Sequence, residues 1–300
     1  MTPTTPKDLF DATFLRSLDG LRLAAQRVPA GGRHGEQRSR HRGSGVEFTD
    51  VRQYVPGDDY RAIDWNLWQR FEKLFLRLFL EDQDLPIHFL LDQSASMGHI
   101  EVGGATKTRT ARQAVAALAY IALNHMDRVT IHPFAGKPLR PLPGIGGKRS
   151  FQRLLGYLAE LPTAGETSLV DAIRHFAHRR TRRGLCVIVS DFFDPRGADD
   201  IITACSIIKH RLLLLRPTHP NEEQPPLGGS LQVVDCESGE ELSLTLDEGA
   251  RERYREAYRQ FTAQLENFAR SRGAIMMPMY TNEPTVAQLA RVFTAGALTV

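Results

Sequence analysis

The 300 residues are 42% hydrophobic and 24% charged, ordinary globular usage that excludes a wholly disordered or fibrous chain. Lys and Arg number 38 against 35 Asp and Glu, and a formal charge of +3 is too weak to mark a nucleic-acid coat or a membrane-surface protein. Three scattered cysteines, Cys186, Cys205 and Cys236, exclude a disulfide framework or a Cys-x-x-Cys metal knuckle and point to a reducing compartment, the cytoplasm.

In chain order, Met1 to Ser17 carries Pro, Lys and Asp where a signal peptide needs an unbroken apolar stretch. The longest apolar run, Ala114 to Leu123, is far short of the ~20 residues that cross a bilayer, so no direct membrane insertion is expected. Leu9 to Val28 reads as an amphipathic helix, and the basic stretch from Pro29 to Gly45 as a solvated loop. Val46 to Tyr54 and Leu74 to Leu80 read as strands separated by the turn residues Pro56-Gly57-Asp58-Asp59. Both tryptophans lie in this region, and its aromatics are expected to form a small satellite core.

From Pro86 the rhythm changes to alternating strands and helices. Apolar strands are predicted over 87–91, 128–134, 185–190, 211–216 and 274–280, and helices over 109–126, 150–161, 199–209, 247–272 and 285–293. Pro138 to Leu142 is expected to return as a hairpin on Arg128 to Phe134, and a second small hairpin is expected around Ser238-Gly239. Ser168-Leu169-Val170-Asp171 has capping-box spacing and should open a helix reaching about Arg180. The pattern predicts an α/β fold with a doubly wound, mostly parallel sheet, residues 86–300 forming the main domain and 1–85 an N-terminal helix-plus-strand segment.

In such sheets ligands gather beyond the carboxyl ends of the strands, where strand order reverses. Directly after the first predicted strand come Asp92, Ser94 and Ser96 at alternate positions; Asp191 follows the strand ending at Ser190, and Thr167 sits on a turn that opens a helix. Five hard oxygens with no imidazole or thiolate suit Mg²⁺, with Mn²⁺ or Ca²⁺ as alternatives, better than zinc.

This Asp-x-Ser-x-Ser, Thr and Asp set resembles the metal-ion-dependent adhesion site of von Willebrand factor A-type domains. The preceding Phe48-x-x-Val51-Arg52-x-Tyr54-x-x-Gly57-Asp58-Asp59-x-Arg61-x-Ile63-Asp64-Trp65 is similar to the hallmark of the domain-of-unknown-function-58 family, in which such a segment precedes a von Willebrand A-like domain. The resemblance implies that Ser94, Ser96 and Thr167 ligate the ion, with Asp92 and Asp191 direct or water-mediated. A Glu or Asp of a client protein would complete the octahedron. It also implies a non-enzymatic adaptor acting with a MoxR-type AAA+ ATPase in maturing or remodelling other proteins. Arg52, Asp58, Asp59, Arg61 and Asp64 are expected to form an ion-pair and turn-capping network.

The rival class is a Mg²⁺-dependent hydrolase or phosphotransferase using Asp92, against which stands Ser94 where a haloacid-dehalogenase-type enzyme places a second Asp. Gly144 to Ser150 fails as a phosphate loop because Arg149 follows Lys148 where Ser or Thr is needed. His175 and His178 share a helix face without further ligands, and Arg179, Arg180, Arg182 and Arg183 read as a solvated helix end rather than a nucleic-acid site.

Overall fold

The computed structural model describes residues 9–26, 47–55, 60, 63–80, 84–99, 106–136, 139–163, 165–225, 229–237 and 239–294. The chain divides into two compact units, residues 29–84 on one side and residues 1–28 with 85–300 on the other. This differs from the division expected at residue 85. Helix α1 (Ala12–Gln26) belongs with the larger unit because its stripe of Phe14, Leu18 and Leu21 is buried in that unit's core, together with Leu9 and Phe10 ahead of it. Polar contacts add to the docking: Gln113 donates to the Leu9 carbonyl at 2.9 Å, and Tyr120 donates to Asp19 at 2.7 Å.

In the smaller unit, β1 (Glu47–Gln53) pairs antiparallel with β2 (Phe75–Leu80), with a bulge between Phe48 and Asp50. Between them lies a helix that periodicity missed, α2 (Trp65–Phe71). Asp64 caps it, accepting from the amides of Asn66 and Leu67, so that member of the expected capping network takes its place. Asp58, Asp59 and Arg61 lie outside the described residues. The expected satellite core is smaller than its aromatic content suggested. Ile63 and Leu76 are buried, but Trp65 and Trp68 are 57% and 46% exposed and Phe71 is exposed as well. A seven-residue helix packing on a two-stranded ladder has too little surface to cover three large rings.

The larger unit is built on a six-stranded sheet. Its strands are β3 (Pro86–Asp92), β4 (Arg128–Phe134), β5 (Leu142–Gly146), β6 (Leu185–Val189), β7 (Arg211–Thr218) and β10 (Ile275–Tyr280), in the order β10-β7-β6-β3-β4-β5. Every pairing is parallel except β4 with β5. The fold is the predicted doubly wound, mostly parallel α/β sheet. The hairpin partner of β4 starts at Leu142, where Pro138 to Leu142 had been expected; Ile131 pairs with Leu142 across a register shift.

Alternation along the strands places Phe89, Leu91, Val187 and Val189 in one apolar layer, under α3 (Lys107–Asn124), α4 (Phe151–Glu160), α9 (Thr285–Thr294) and α1. Leu90, Cys186, Ile188 and Leu214 face the other layer, with α5 (Leu169–Ala177), α6 (Gly197–Ser206) and α8 (Glu248–Ser271). Alanines 114, 116, 117 and 119 are fully buried, so α3 lies close against the sheet. After β7 come a short helix α7 (Pro220–Glu223) and a separate two-stranded ladder of β8 (Gly229–Val234) and β9 (Glu241–Leu246). Among the described residues no helix is long and apolar enough to cross a membrane.

A cluster of His88 of β3, His132 of β4 and His210, just ahead of β7, surrounds Phe176 of α5, with ring centroids 5.2–5.6 Å apart. Burial, then His210 and Arg179, lowers the pKa of His88 to about 4; burial, then His88, Arg179 and His175, lowers that of His132 to about 3. An unfolded histidine gains its proton near pH 6.5, well before these folded ones do. The unfolded chain therefore binds more protons in this window, and stability that is full above pH 6.5 is lost as pH falls toward the folded values. We expect the change in thermal unfolding temperature from pH 7 to pH 5 to be ~5 °C more favourable in the double variant His88→Phe/His132→Phe than in the parent chain. An equal change in the two proteins would count against neutral burial of these rings.

Candidate functional site

Strand β3 is the point where strand order reverses: the chain leaves it through α3 on one face to β4, and later returns to β6 on its other side. From β6 it leaves through α6 on the opposite face. The connections after β3 and β6 thus diverge and open a crevice at the carboxyl ends of two adjacent strands. Asp92 is the last residue of β3, and Asp191 lies just past the end of β6.

Both carboxylates are fully buried. One oxygen of Asp92 accepts from the Ser94 amide at 2.9 Å, and the other accepts from the Ser190 hydroxyl at 2.6 Å, which ties the two strand ends together. The hydroxyls of Ser94 and Ser96 stand 2.9 Å apart, the second at the start of a 3-10 turn, Ser96–Gly98. Thr167 is brought to the same loops by a bond from the Ala95 amide to the Gly165 carbonyl, 2.9 Å. Gly136 allows this approach, since a Cβ there would stand 3.3 Å from backbone atoms of Glu166. All five residues singled out from sequence therefore lie on three loops that are bonded to one another.

The supporting contacts explain why the loops hold these positions. Arg112 of α3 is buried and donates to Gln93 at 3.1 Å, to the Leu161 carbonyl at 2.7 Å and to Thr163 at 2.9 Å, linking the β3 loop to the segment ahead of Thr167. Phe192 adopts a left-handed φ of 66° while its ring is fully buried, a strained backbone that β-carbon sterics disfavour. Its amide donates to Ser190, and the next amide, of Phe193, donates to Asp191, so the strained turn aims Asp191 inward.

The expected capping box at Ser168 does not form. Ser168 donates to the Ala135 carbonyl at 2.7 Å, while Asp194 accepts from the Val170 amide at 3.1 Å and Asp171 pairs with Arg196 at 2.8 Å. The cap comes from a distant loop, so the start of α5 is pinned to the β6 loop.

Four residues of the site escaped sequence reasoning. Lys107, buried at the start of α3, reaches Asp191 at 2.6 Å and Glu222 of α7 at 2.9 Å. Burial alone would lower its pKa, but Asp191 and Glu222 outweigh burial and hold it above the ordinary value. Glu237, between β8 and β9, accepts from the Thr167 amide and from its hydroxyl, each at 2.7 Å. Ser190 is the fourth; standing next to Asp191, it alone carried a local signal.

Charge decides what this arrangement can hold. Lys107 is committed to Asp191 and Glu222, and burial, followed by the charge of Asp191, raises the Asp92 pKa to about 7. Lys107 alone does not offset the carboxylates gathered here once Asp92 is ionised, and a divalent cation would supply the missing positive charge. An octahedral ion with bonds of about 2.1 Å separates adjacent ligand oxygens by roughly 2.9–3.0 Å, and the Ser94 and Ser96 hydroxyls match that edge. Hydroxyl and carboxylate oxygens are donors of the kind a hard divalent ion accepts, and Ser94, Ser96 and Thr167 are the residues here that would hold one. The other candidates do not gather: His175 on α5 and His178 just past its end are exposed, and Gly144 to Ser150 is the end of β5 and a 3-10 turn.

An uncharacterised protein of Mycobacterium tuberculosis is 26% identical over 292 residues, covering 95% of this chain and 90% of its own. Among solved structures, the hypothetical protein BatB of Bacteroides thetaiotaomicron is similar at 12% identity and a TM-score of 0.43, covering 71% of this chain and 98% of its own. The VWA domain of SpRpn10 is similar at 10% identity and a TM-score of 0.38, covering 69% and 94%. The model of the family described as "Protein of unknown function DUF58" matches residues 50–264, and the chain belongs to that family.

Proposed function

We propose that the protein is a non-enzymatic module that binds other proteins through a divalent cation seated between the β3 and β6 loops. The observation that carries this reading is the buried pair Asp92 and Asp191, whose charge Lys107 only partly offsets, beside two hydroxyls at octahedral spacing. Mg²⁺ is the favoured ion, with Mn²⁺ or Ca²⁺ able to replace it. When bound, such an ion supplies an electrophilic position for a carboxylate oxygen. Ser94, Ser96 and Thr167 would hold it and, being neutral, would leave it electrophilic, while Asp92 orients the loop through Ser94 and Ser190. The partner is a client protein offering an acidic side chain, and the module works with a MoxR-type AAA+ ATPase in remodelling that client. Placement in the cytoplasm is supported by the three unpaired cysteines.

Against phosphoryl transfer stands the Asp92 carboxylate itself: it is fully buried and both its oxygens are engaged, which is poor geometry for a nucleophile. Assay of generic phosphatase substrates with Mg²⁺ should give no turnover above background. Turnover lost in Asp92→Asn would favour the enzyme class.

Two binding experiments test the module. Titration calorimetry with Mn²⁺ should give one site, weakened at least about 100-fold in Asp92→Asn and in Thr167→Val, with both variants still folded by circular dichroism. Equal binding in all three proteins would contradict the assignment. The variant Lys107→Met leaves Asp191 and Glu222 unpaired, so without metal its unfolding free energy should fall by ~3 kcal/mol. Saturating Mg²⁺ should recover a larger share of stability in this variant than in the parent chain, because the more negative site binds the ion more tightly. No difference in the Mg²⁺ response would place the ion elsewhere.

A further inference from the structure

Resting on the metal-dependent reading above, we propose that the chain carries its own competing carboxylate: Glu237, at the turn between β8 and β9, covers the site and must be displaced by the acidic side chain of a partner. Its two oxygens accept both donors of Thr167, the amide and the hydroxyl, each at 2.7 Å. That hydroxyl oxygen is one of the assigned ligands, and with its proton turned toward Glu237 its lone pairs are left for a cation. A carboxylate one hydrogen bond from the ligand oxygen stands where an incoming Glu or Asp must arrive.

The turn is built to present this side chain. Asp235 accepts from the Glu237 amide at 2.7 Å, the Gly239 amide closes on the Asp235 carbonyl at 2.9 Å, and Gly239 supplies the left-handed φ of 75° that the turn requires. Among the described residues from 235 to 240, Glu237 alone is half-buried; the others are exposed.

Strands β8 and β9 form a sheet of their own, separate from the six-stranded sheet, with Val233, Val234 and Leu242 exposed. A two-stranded ladder builds little core of its own, so the pair of bonds to Thr167 adds to what holds the tip where it rests. A partner carboxylate that reached a cation held by Thr167 would compete with those two bonds, and the hairpin would then have to move away. Closure of this kind lowers the apparent affinity for a partner by the fraction of time the tip is away.

The experiment uses the full chain, its Glu237→Gln and Glu237→Ala variants, saturating Mn²⁺, and a fluorescein-labelled decapeptide with a single Glu in a Gly/Ser background. Both variants should bind the peptide about tenfold more tightly than the parent, with faster hydrogen exchange across residues 165–170. Calorimetry with Mn²⁺ alone separates the two levels of the argument. If the parent and the variants bind Mn²⁺ but bind the peptide equally, or not at all, the covering role of Glu237 is wrong and the metal reading stands. If none of them binds Mn²⁺, the metal reading fails and this proposal falls with it.

Discussion

Two carboxylates end adjacent strands of a parallel sheet and are buried together, and the neighbourhood of the site is organised around the cost of that burial. Asp191 is balanced by Lys107, whose ammonium is shared with Glu222. Asp92 is instead held by an amide and a hydroxyl, and its pKa is raised to about 7 by burial and by Asp191. Burying charge without a full counter-charge is unfavourable by several kcal/mol, so such a pair persists where it has a use. The strained backbone at Phe192, the buried Arg112 and the remote cap from Asp194 are the means by which three loops are held around that pair.

Much of the sheet was legible because burial on both faces writes a short, continuous apolar run, as in Ile87 to Leu91 and Leu212 to Leu215. The place of the candidate site was legible for a related reason: in a doubly wound sheet the first polar residues after a central strand lie at the crevice, and Asp92, Ser94, Ser96 and Asp191 occupy those positions. Thr167 was reached through its turn and through spacing. Lys107, Glu222 and Glu237 were not legible, since each acts across a gap in sequence: Lys107 contacts Asp191 from 84 residues away, and Glu237 contacts Thr167 from 70. No local pattern encodes such a meeting.

The departures elsewhere have the same origin. The stripe of α1 identifies an amphipathic helix but not the partner it buries against, so the division drawn at residue 85 misplaced it. Ser168 and Asp171 have capping-box spacing, yet Arg196 and Ala135 outbid the local bonds. The aromatics of the smaller unit read as core because large rings usually are. On α2, Trp65, Trp68 and Phe71 have only a short ladder beneath them and remain exposed.

The most direct measurement is anomalous diffraction from a crystal of the full chain soaked in Mn²⁺. The account predicts a single strong peak bonded to the hydroxyls of Ser94, Ser96 and Thr167, with Asp92 and Asp191 within reach of its bound waters. A map with no peak between those hydroxyls, from a crystal in which the β3 and β6 loops are ordered, would contradict it.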